Sequence, residues 1–338
     1  MIINTYLLIP ILVSFFITLF LMPFWIRKTR QIGLLWDDVH KLKKQKVSGS
    51  GGIIAVLGFI IGVLVFIAFR VFYLKSHNSF LVELLALLTV TLTIAGLGLI
   101  DDLLGWQRGG LSRRSRLILI ALASIPLIAI NAGSSTISVP FFGQLNLGII
   151  YPLILIPLGI VGAATTYNFL AGYNGLEAGQ GIIILTAISI VAFFTGNSWI
   201  SVVALCMSAA LFAFLFYNFF PAKVFPGDSL TLAVGGLIAI LAILGNFERI
   251  AVFFFIPYIL ETVLKARGKL VKHSFGIPQN SGFLKPKYNK IYSLSHIAIR
   301  LLNKTRFKAT EKSVVYSIWI FQIIIILLGF LIFKQGIF

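Results

Sequence analysis

Ten of 338 residues are acidic, and two of them, Asp101 and Asp102, stand side by side at the end of the apolar run from Phe80 to Ile100. Adjacent carboxylates repel one another and are costly to hold near hydrocarbon unless a cation or an ordered polar site compensates them. On a helix, neighbouring side chains point about 100° apart, so the two are expected to serve different groups. A carboxylate is also unfavourable at a helix C-terminus, where the backbone dipole is negative, which argues against a merely solvated end. A second cluster, Phe225-Pro226-Gly227-Asp228-Ser229, sets another carboxylate beside an aromatic ring and a glycine that admits close backbone approach. A third, Thr165 to Gln180, is polar, broken by glycines, and holds Asn168, Asn174 and Glu177. Aspartates, side-chain amides and cations, without a cysteine cluster or paired histidines, suit a hard ion with oxygen ligands. Magnesium is the expected ion, with manganese as a substitute, because it takes one or two carboxylates together with phosphate oxygens and water. Such an ion on a diphosphate neutralises the leaving phosphate and aligns an attacking oxygen, so phosphoryl transfer is the expected reaction class.

The elements that must position these residues are set by composition. With 59% hydrophobic and 11% charged residues, the chain departs from soluble proteins, in which roughly a quarter of residues are charged. The expected class is an all-α, polytopic integral membrane protein. Ten apolar stretches approach the length needed to cross a bilayer, at 5–26, 51–69, 80–100, 117–131, 146–164, 181–195, 198–220, 229–244, 249–264 and 313–333; the fourth, sixth and eighth are short, so eight to eleven spans are expected. The first has neither a basic leader nor a small-residue cleavage site, so a retained helix is expected. The only cysteine, Cys206, lies inside a stretch and excludes an intramolecular disulfide. One transmembrane domain over 1–338 is expected, with a long loop at 265–312.

Of 28 basic residues, loops one, three, seven and nine between these stretches hold seven, four, one and twelve, against three in the even loops. The positive-inside rule therefore places the odd loops in the cytoplasm and both termini outside. Topology and anionic headgroups account for the net charge of +18, and nucleic acid is not an expected partner. All five aspartates fall in the same odd loops: Asp37 and Asp38, Asp101 and Asp102, and Asp228. A carrier of phosphorylated solutes would instead place polar groups near mid-membrane, on broken helices and usually within internal repeats. That alternative is set against the expected reading, an enzyme with a cytoplasmic-face active site whose substrate arrives from the bilayer. In loop nine, His273 to Pro286 should be irregular. Tyr288 to Leu302 places Ile291, Leu294, Ala298 and Leu301 at helical spacing, which predicts an amphipathic interfacial helix turning Lys290, Arg300 and Lys304 toward headgroups or solvent.

Three motifs, Gly98-Leu99-Ile100-Asp101-Asp102, Asn168-Phe169-Leu170-Ala171-Gly172-Tyr173-Asn174-Gly175-Leu176-Glu177, and Tyr217-Asn218 leading to Phe225-Pro226-Gly227-Asp228-Ser229, resemble in order and spacing the polyprenyl-phosphate N-acetylhexosamine-1-phosphate transferases. The Leu-Ala-Gly-x-Asn-Gly-Leu-Glu form is similar to the eukaryotic and archaeal branch acting on dolichyl phosphate. The resemblance implies transfer of GlcNAc-1-phosphate from UDP-GlcNAc to a polyprenyl (dolichyl) phosphate, giving UMP and a diphosphate-linked lipid sugar, the first step of N-glycan assembly. Another UDP-N-acetylhexosamine, used for an envelope glycan, is the alternative. By the same resemblance Asp101 and Asp102 would be the catalytic pair, and Asn168 and Asp228 would hold magnesium. Asn174 and Phe225 would contact uracil, Lys46 would bind phosphate, His273 would lie near the diphosphate or sugar, and Glu177 would belong to the substrate site. Thr165 stands where the family has the first asparagine of an Asn-x-x-Asn pair, and Gly49 stands where it has Pro-Glu. An archaeal cell membrane is the expected location, with the endoplasmic reticulum as alternative; membrane lipid is an expected partner, and a homodimer is left open.

Overall fold

The computed structural model describes residues 7–42, 45–73, 75, 80–139, 143–306 and 308–337; Lys43 and Lys44, two of the seven first-loop cations, lie outside them. α1 (Leu8–Ile32) leads into a hairpin of β1 (Leu35–Asp37) and β2 (Lys46–Ser48), with Trp36 opposite Val47. α2 (Gly52–Ala68) runs on into a wider turn at Phe69–Tyr73, and is followed by α3 (Leu81–Arg108), α4 (Arg113–Ala123) and α5 (Ile125–Ala129). A second hairpin, β3 (Thr136–Val139) and β4 (Gly143–Asn146), precedes α6 (Ile156–Phe169), α7 (Leu176–Phe194), α8 (Ser198–Asn218) and α9 (Asp228–Gly245). Then come α10 (Glu248–Phe254), α11 (Ile256–Arg267), the short hairpin β5 (Ile277–Pro278) and β6 (Leu284–Lys285), α12 (Leu294–Asn303), α13 (Glu311–Ile332) and α14 (Lys334–Ile337).

Among the described residues, eight helices are long and apolar enough to cross a membrane. The stretches expected at 117–131 and 249–264 are instead helix pairs. α4 and α5 meet just before Pro126, and α10 and α11 meet just before Pro257. Proline lacks the N–H that would continue the ladder and fits best in a first turn, and each run restarts there, whereas α1 carries Pro23 within its length. Hydropathy does not decide which segment is central: the spanning window of α9, at a mean hydropathy of 2.0, is 89% buried within the protein, against 28% for α1 at 2.3. A helix apolar on every face belongs inside a bundle, whereas α1 turns its surplus apolar surface outward to lipid.

Helix ends of alternating sense meet at one cavity. Trp36 follows α1, Ser50 precedes α2, Asp102 lies near the end of α3, and Arg113 opens α4. Asn168 closes α6, Glu177 lies in the first turn of α7, Asn218 ends α8, Asp228 opens α9, and Lys265 lies near the end of α11.

The loop-nine helix is shorter than its spacing suggested. α12 starts at Leu294, because the Ser293 hydroxyl accepts from the Ser295 amide and the buried Glu261 carboxylate accepts from the Leu294 amide at 2.7 Å. Its buried face is Leu294, Ala298 and Ile299, while Leu301 is 60% exposed. Lys290 precedes the helix, and Arg300 folds back onto the carbonyls of Tyr288 and Asn289, at 3.1 and 2.5 Å, rather than reaching outward.

Candidate active site

The cavity has a volume of about 770 Å³ and is lined by seven of the nine expected site residues: Asp102, Asn168, Asn174, Glu177, Phe225, Asp228 and His273. Asp101 lies buried beside it, and Lys46 is exposed at the start of β2, outside the lining.

The centre is built where the end of α3 meets the start of α9. Asp102 accepts hydrogen bonds from the backbone N–H of Asp228 at 2.7 Å and of Ser229 at 3.4 Å, using both carboxylate oxygens. A carboxylate at that position satisfies helix N–H groups that have no partner within the helix and complements the positive dipole end. The approach requires two glycines. A Cβ at Gly98 would overlap the Asp228 carbonyl, and a Cβ at Gly227, where φ is +72°, would overlap the Asp102 carboxylate.

Asp101 turns the other way, as the offset between helical neighbours requires. It accepts from the Leu111 amide at 2.5 Å and forms an ion pair with Arg116 on α4. Arg116 also reaches Asp228, with Nη1 at 3.0 Å from Oδ2, while the Asn168 amide donates to Oδ1 of Asp228 at 3.0 Å. One guanidinium thus bridges the two carboxylates, a geometry that suits its planar fork. Sequence reasoning missed Arg116. A signal exists in the chain: Arg113, Arg114 and Arg116 crowd the first turn of α4, where the helix dipole disfavours cations unless acids or anions compensate them. The donor set fits magnesium. Asp228 and Asp101 offer oxygen ligands and already share a cation, while the Asn168 side chain turns its nitrogen to Asp228 and would offer its amide oxygen to an ion. Arg113, Lys265, Lys272 and His273 line the same cavity, and the first three bring positive charge to it.

Loops one, five and seven are stitched into a frame around this centre. Phe225 donates its N–H to the Ser48 carbonyl at 2.8 Å, and its own carbonyl accepts from Gly51 at 2.9 Å. Asn218 accepts from the Gly175 amide at 3.1 Å and donates to the Val224 carbonyl at 2.9 Å, which ties the fifth loop to the seventh. Glu177 accepts from the Gly172 amide at 2.7 Å and so closes the fifth-loop turn over its own helix start. Asn174 is held at two points: its backbone N–H donates to Glu311 at 3.0 Å and its side-chain amide to Asp38 at 3.1 Å. Lys41 joins those two acids, 2.9 Å from Glu311 and 3.5 Å from Asp38. His40, stacked on Tyr173 with ring centres 4.2 Å apart, is pushed down to about 4 by burial and is neutral near pH 7. Asp38, His40 and Glu311 lie close enough to share an ion. However, both acids are already engaged by Lys41, the Asn174 donors and the His40 N–H.

Loop nine is locked by Glu261, fully buried on α11, which accepts from Ser293, Leu294 and Ser274. Ser274 is the neighbour of His273, whose ring stacks on Phe275 at the cavity rim.

Residues 84–246 match the model of glycosyl transferase family 4. A Sulfolobus acidocaldarius protein, provisionally named a UDP-N-acetylglucosamine–dolichyl-phosphate N-acetylglucosaminephosphotransferase, is 34% identical over 327 residues, 95% of this chain and 94% of its own. The Dictyostelium discoideum protein of that name is 32% identical over 299 residues, 77% of this chain and 70% of its own. A phospho-N-acetylmuramoyl-pentapeptide-transferase from Halalkalibacterium halodurans is 32% identical over 286 residues, 78% and 85% of the two chains. With the motif-bearing helix ends gathered at one cavity and relatives matched over nearly its whole length, the chain belongs to glycosyl transferase family 4.

Proposed function

We propose that this membrane protein transfers GlcNAc-1-phosphate from UDP-GlcNAc to a polyprenyl phosphate of the dolichyl type. The products are UMP and a lipid-linked GlcNAc diphosphate, the first intermediate of N-glycan assembly. The observation that carries the reading is the Asp101–Arg116–Asp228–Asn168 cluster, set in a cavity that also bears Arg113, Lys265 and Lys272. In the reaction, an ionised oxygen of the acceptor phosphate forms a bond to the sugar-bearing phosphorus. The bond from that phosphorus to the bridging oxygen breaks, and UMP leaves with the electron pair. An acceptor that is already ionised requires no proton transfer, and the catalytic pair then works by holding charge in place.

Asp102 fixes the first turn of α9 and so aims Asp228 into the cavity. Asp101 holds Arg116, whose second arm reaches Asp228 at the cavity edge, where phosphate charge is transferred. Asp228 and Asn168 would hold magnesium, which when bound neutralises the diphosphate. Phe225 and Asn174 take the uracil end, while His273 and Glu177 border the sugar and diphosphate. Arg113, Lys265 and Lys272 make the phosphate contacts for which Lys46 stands outside the lining. The site faces the cytoplasm of an archaeal cell, since the cation-rich loops lie on its side. The test is purified protein with UDP-GlcNAc and dolichyl phosphate, followed for UMP and for lipid-linked sugar. A labelled lipid that disappears on chelation supports the reading, and no product from any UDP-N-acetylhexosamine overturns it.

A further inference from the structure

We propose that Asp38 is a positioning residue that fixes which end of the Asn174 amide faces the nucleotide base, and so makes the site select uridine over cytidine diphosphates. The inference rests on the reading that Asn174 meets the base. An amide carries donors on one side and an acceptor on the other, whereas a carboxylate only accepts. The end of Asn174 that lies 3.1 Å from Asp38 must therefore be the nitrogen. Turning the amide over would set its carbonyl oxygen against a carboxylate. Asn174 and Asp38 are each 4% exposed, so water cannot stand in for the lost bond.

The arrangement is braced from behind. The Asn174 backbone N–H donates to Glu311 at 3.0 Å, and Lys41 spans Glu311 and Asp38, which closes a ring of four residues drawn from three separate parts of the chain. What remains is Oδ1 of Asn174, turned away from Asp38 on a residue that lines the cavity. Among the described residues no hydrogen bond uses it. The site therefore presents a fixed acceptor at this point, not an amide free to choose.

Uracil offers an N–H at ring position 3, between two carbonyl oxygens. Cytosine has a lone pair at that position and an amino group beside it. An acceptor fixed opposite ring position 3 bonds the uracil N–H and faces the cytosine lone pair, acceptor against acceptor. The two carboxylates at this corner also repel phosphate, so a nucleotide sets its uncharged end here and its diphosphate toward Arg116, Arg113 and Lys272.

The experiment measures binding of UDP, CDP and 3-methyl-UDP to the purified full chain, for the wild type, Asp38→Asn and Asp38→Glu, alongside thermal unfolding. The wild type should prefer UDP over CDP by roughly 100-fold or more, because a site built around one hydrogen-bonding pattern leaves groups unpaired with the wrong one. It should bind 3-methyl-UDP at least about tenfold more weakly than UDP. Asp38→Asn keeps the shape but can donate as well as accept, so Asn174 is free to present either end. The UDP to CDP ratio should then fall by about tenfold, and Asp38→Glu, still only an acceptor, should restore most of it. A purely structural role would weaken both nucleotides alike and leave the ratio unchanged; that result in a folded Asp38→Asn protein overturns the inference. If Asp38→Asn does not fold, the wild type decides: equal binding of UDP and 3-methyl-UDP overturns it. A wild type that binds UDP no better than CDP removes the underlying reading of the base site as well, which separates the two failures.

Discussion

Replacing Asp102 with asparagine asks whether its carboxylate holds Asp228 in place. The wild-type carboxylate accepts from two backbone N–H groups of α9, at 2.7 and 3.4 Å. Asparagine can keep one of these through its carbonyl oxygen, but its NH2 group then faces the other N–H, donor against donor. A hydrogen bond to a charged group is worth roughly 1.5–3 kcal/mol, and a carboxylate at a helix N-terminus adds about 0.3–1 kcal/mol. The local loss is therefore about 2–4 kcal/mol, concentrated in the turn that aims Asp228. Converted to rate at about 1.4 kcal/mol per decade, kcat should fall roughly 30- to 1,000-fold. KM for UDP-GlcNAc should stay within about threefold, because Asp102 supports α9 and not the base end of the cavity. UMP release at saturating donor gives kcat, competition binding gives donor affinity, and a thermal melt confirms that the variant is folded. A folded Asp102→Asn protein turning over within threefold of wild type would refute the reasoning.

Arg116→Met removes the cation that bridges Asp101 and Asp228; UMP release should drop more than about 100-fold, with Arg116→Lys intermediate because it keeps the charge but not the fork. Gly98→Ala forces a methyl group into the start of α9 and should cost about 1–3 kcal/mol, read as a lower thermal midpoint and slower turnover. Gly96→Ala, where nothing lies within 4 Å of the new carbon, should change neither. His40, held neutral at about 4 against an ordinary 6.5, binds a proton in the unfolded chain before it does so in the folded one. Its contribution is complete above pH 6.5 and is lost as pH falls toward 4, by up to about 3 kcal/mol. Thermal midpoints measured from pH 7.5 to 4.5 should fall, and His40→Gln should flatten that slope.

The candidate centre is legible in outline because its members are expensive. Asp101 and Asp102 stand out by the cost of paired charge at a membrane edge, and loop parity alone gathers every aspartate on one side. Arg116 is hidden by the same parity, since a cation among the many in the odd-numbered loops carries no mark of its own unless its place in a helix is known. The contact of Asp38 with Asn174 joins loops 136 residues apart, beyond any local pattern. Pro126 and Pro257 sit in plain view, yet hydropathy reads straight through them. The start of α12 escapes a reading by helical spacing because its cap includes Glu261, 33 residues upstream of Leu294, and spacing shows nothing of such a partner.

The central claim, that the bond broken lies between the two phosphates of the donor, is tested most directly by following the phosphorus. UDP-GlcNAc carrying radioactive phosphorus only in the sugar-bearing phosphate is incubated with the purified protein and dolichyl phosphate. The expected result is label in the lipid product and none in the released nucleotide, which is UMP. Label recovered in released UDP, with unlabelled sugar on the lipid, would mean that the sugar moved without its phosphate and would contradict the mechanism.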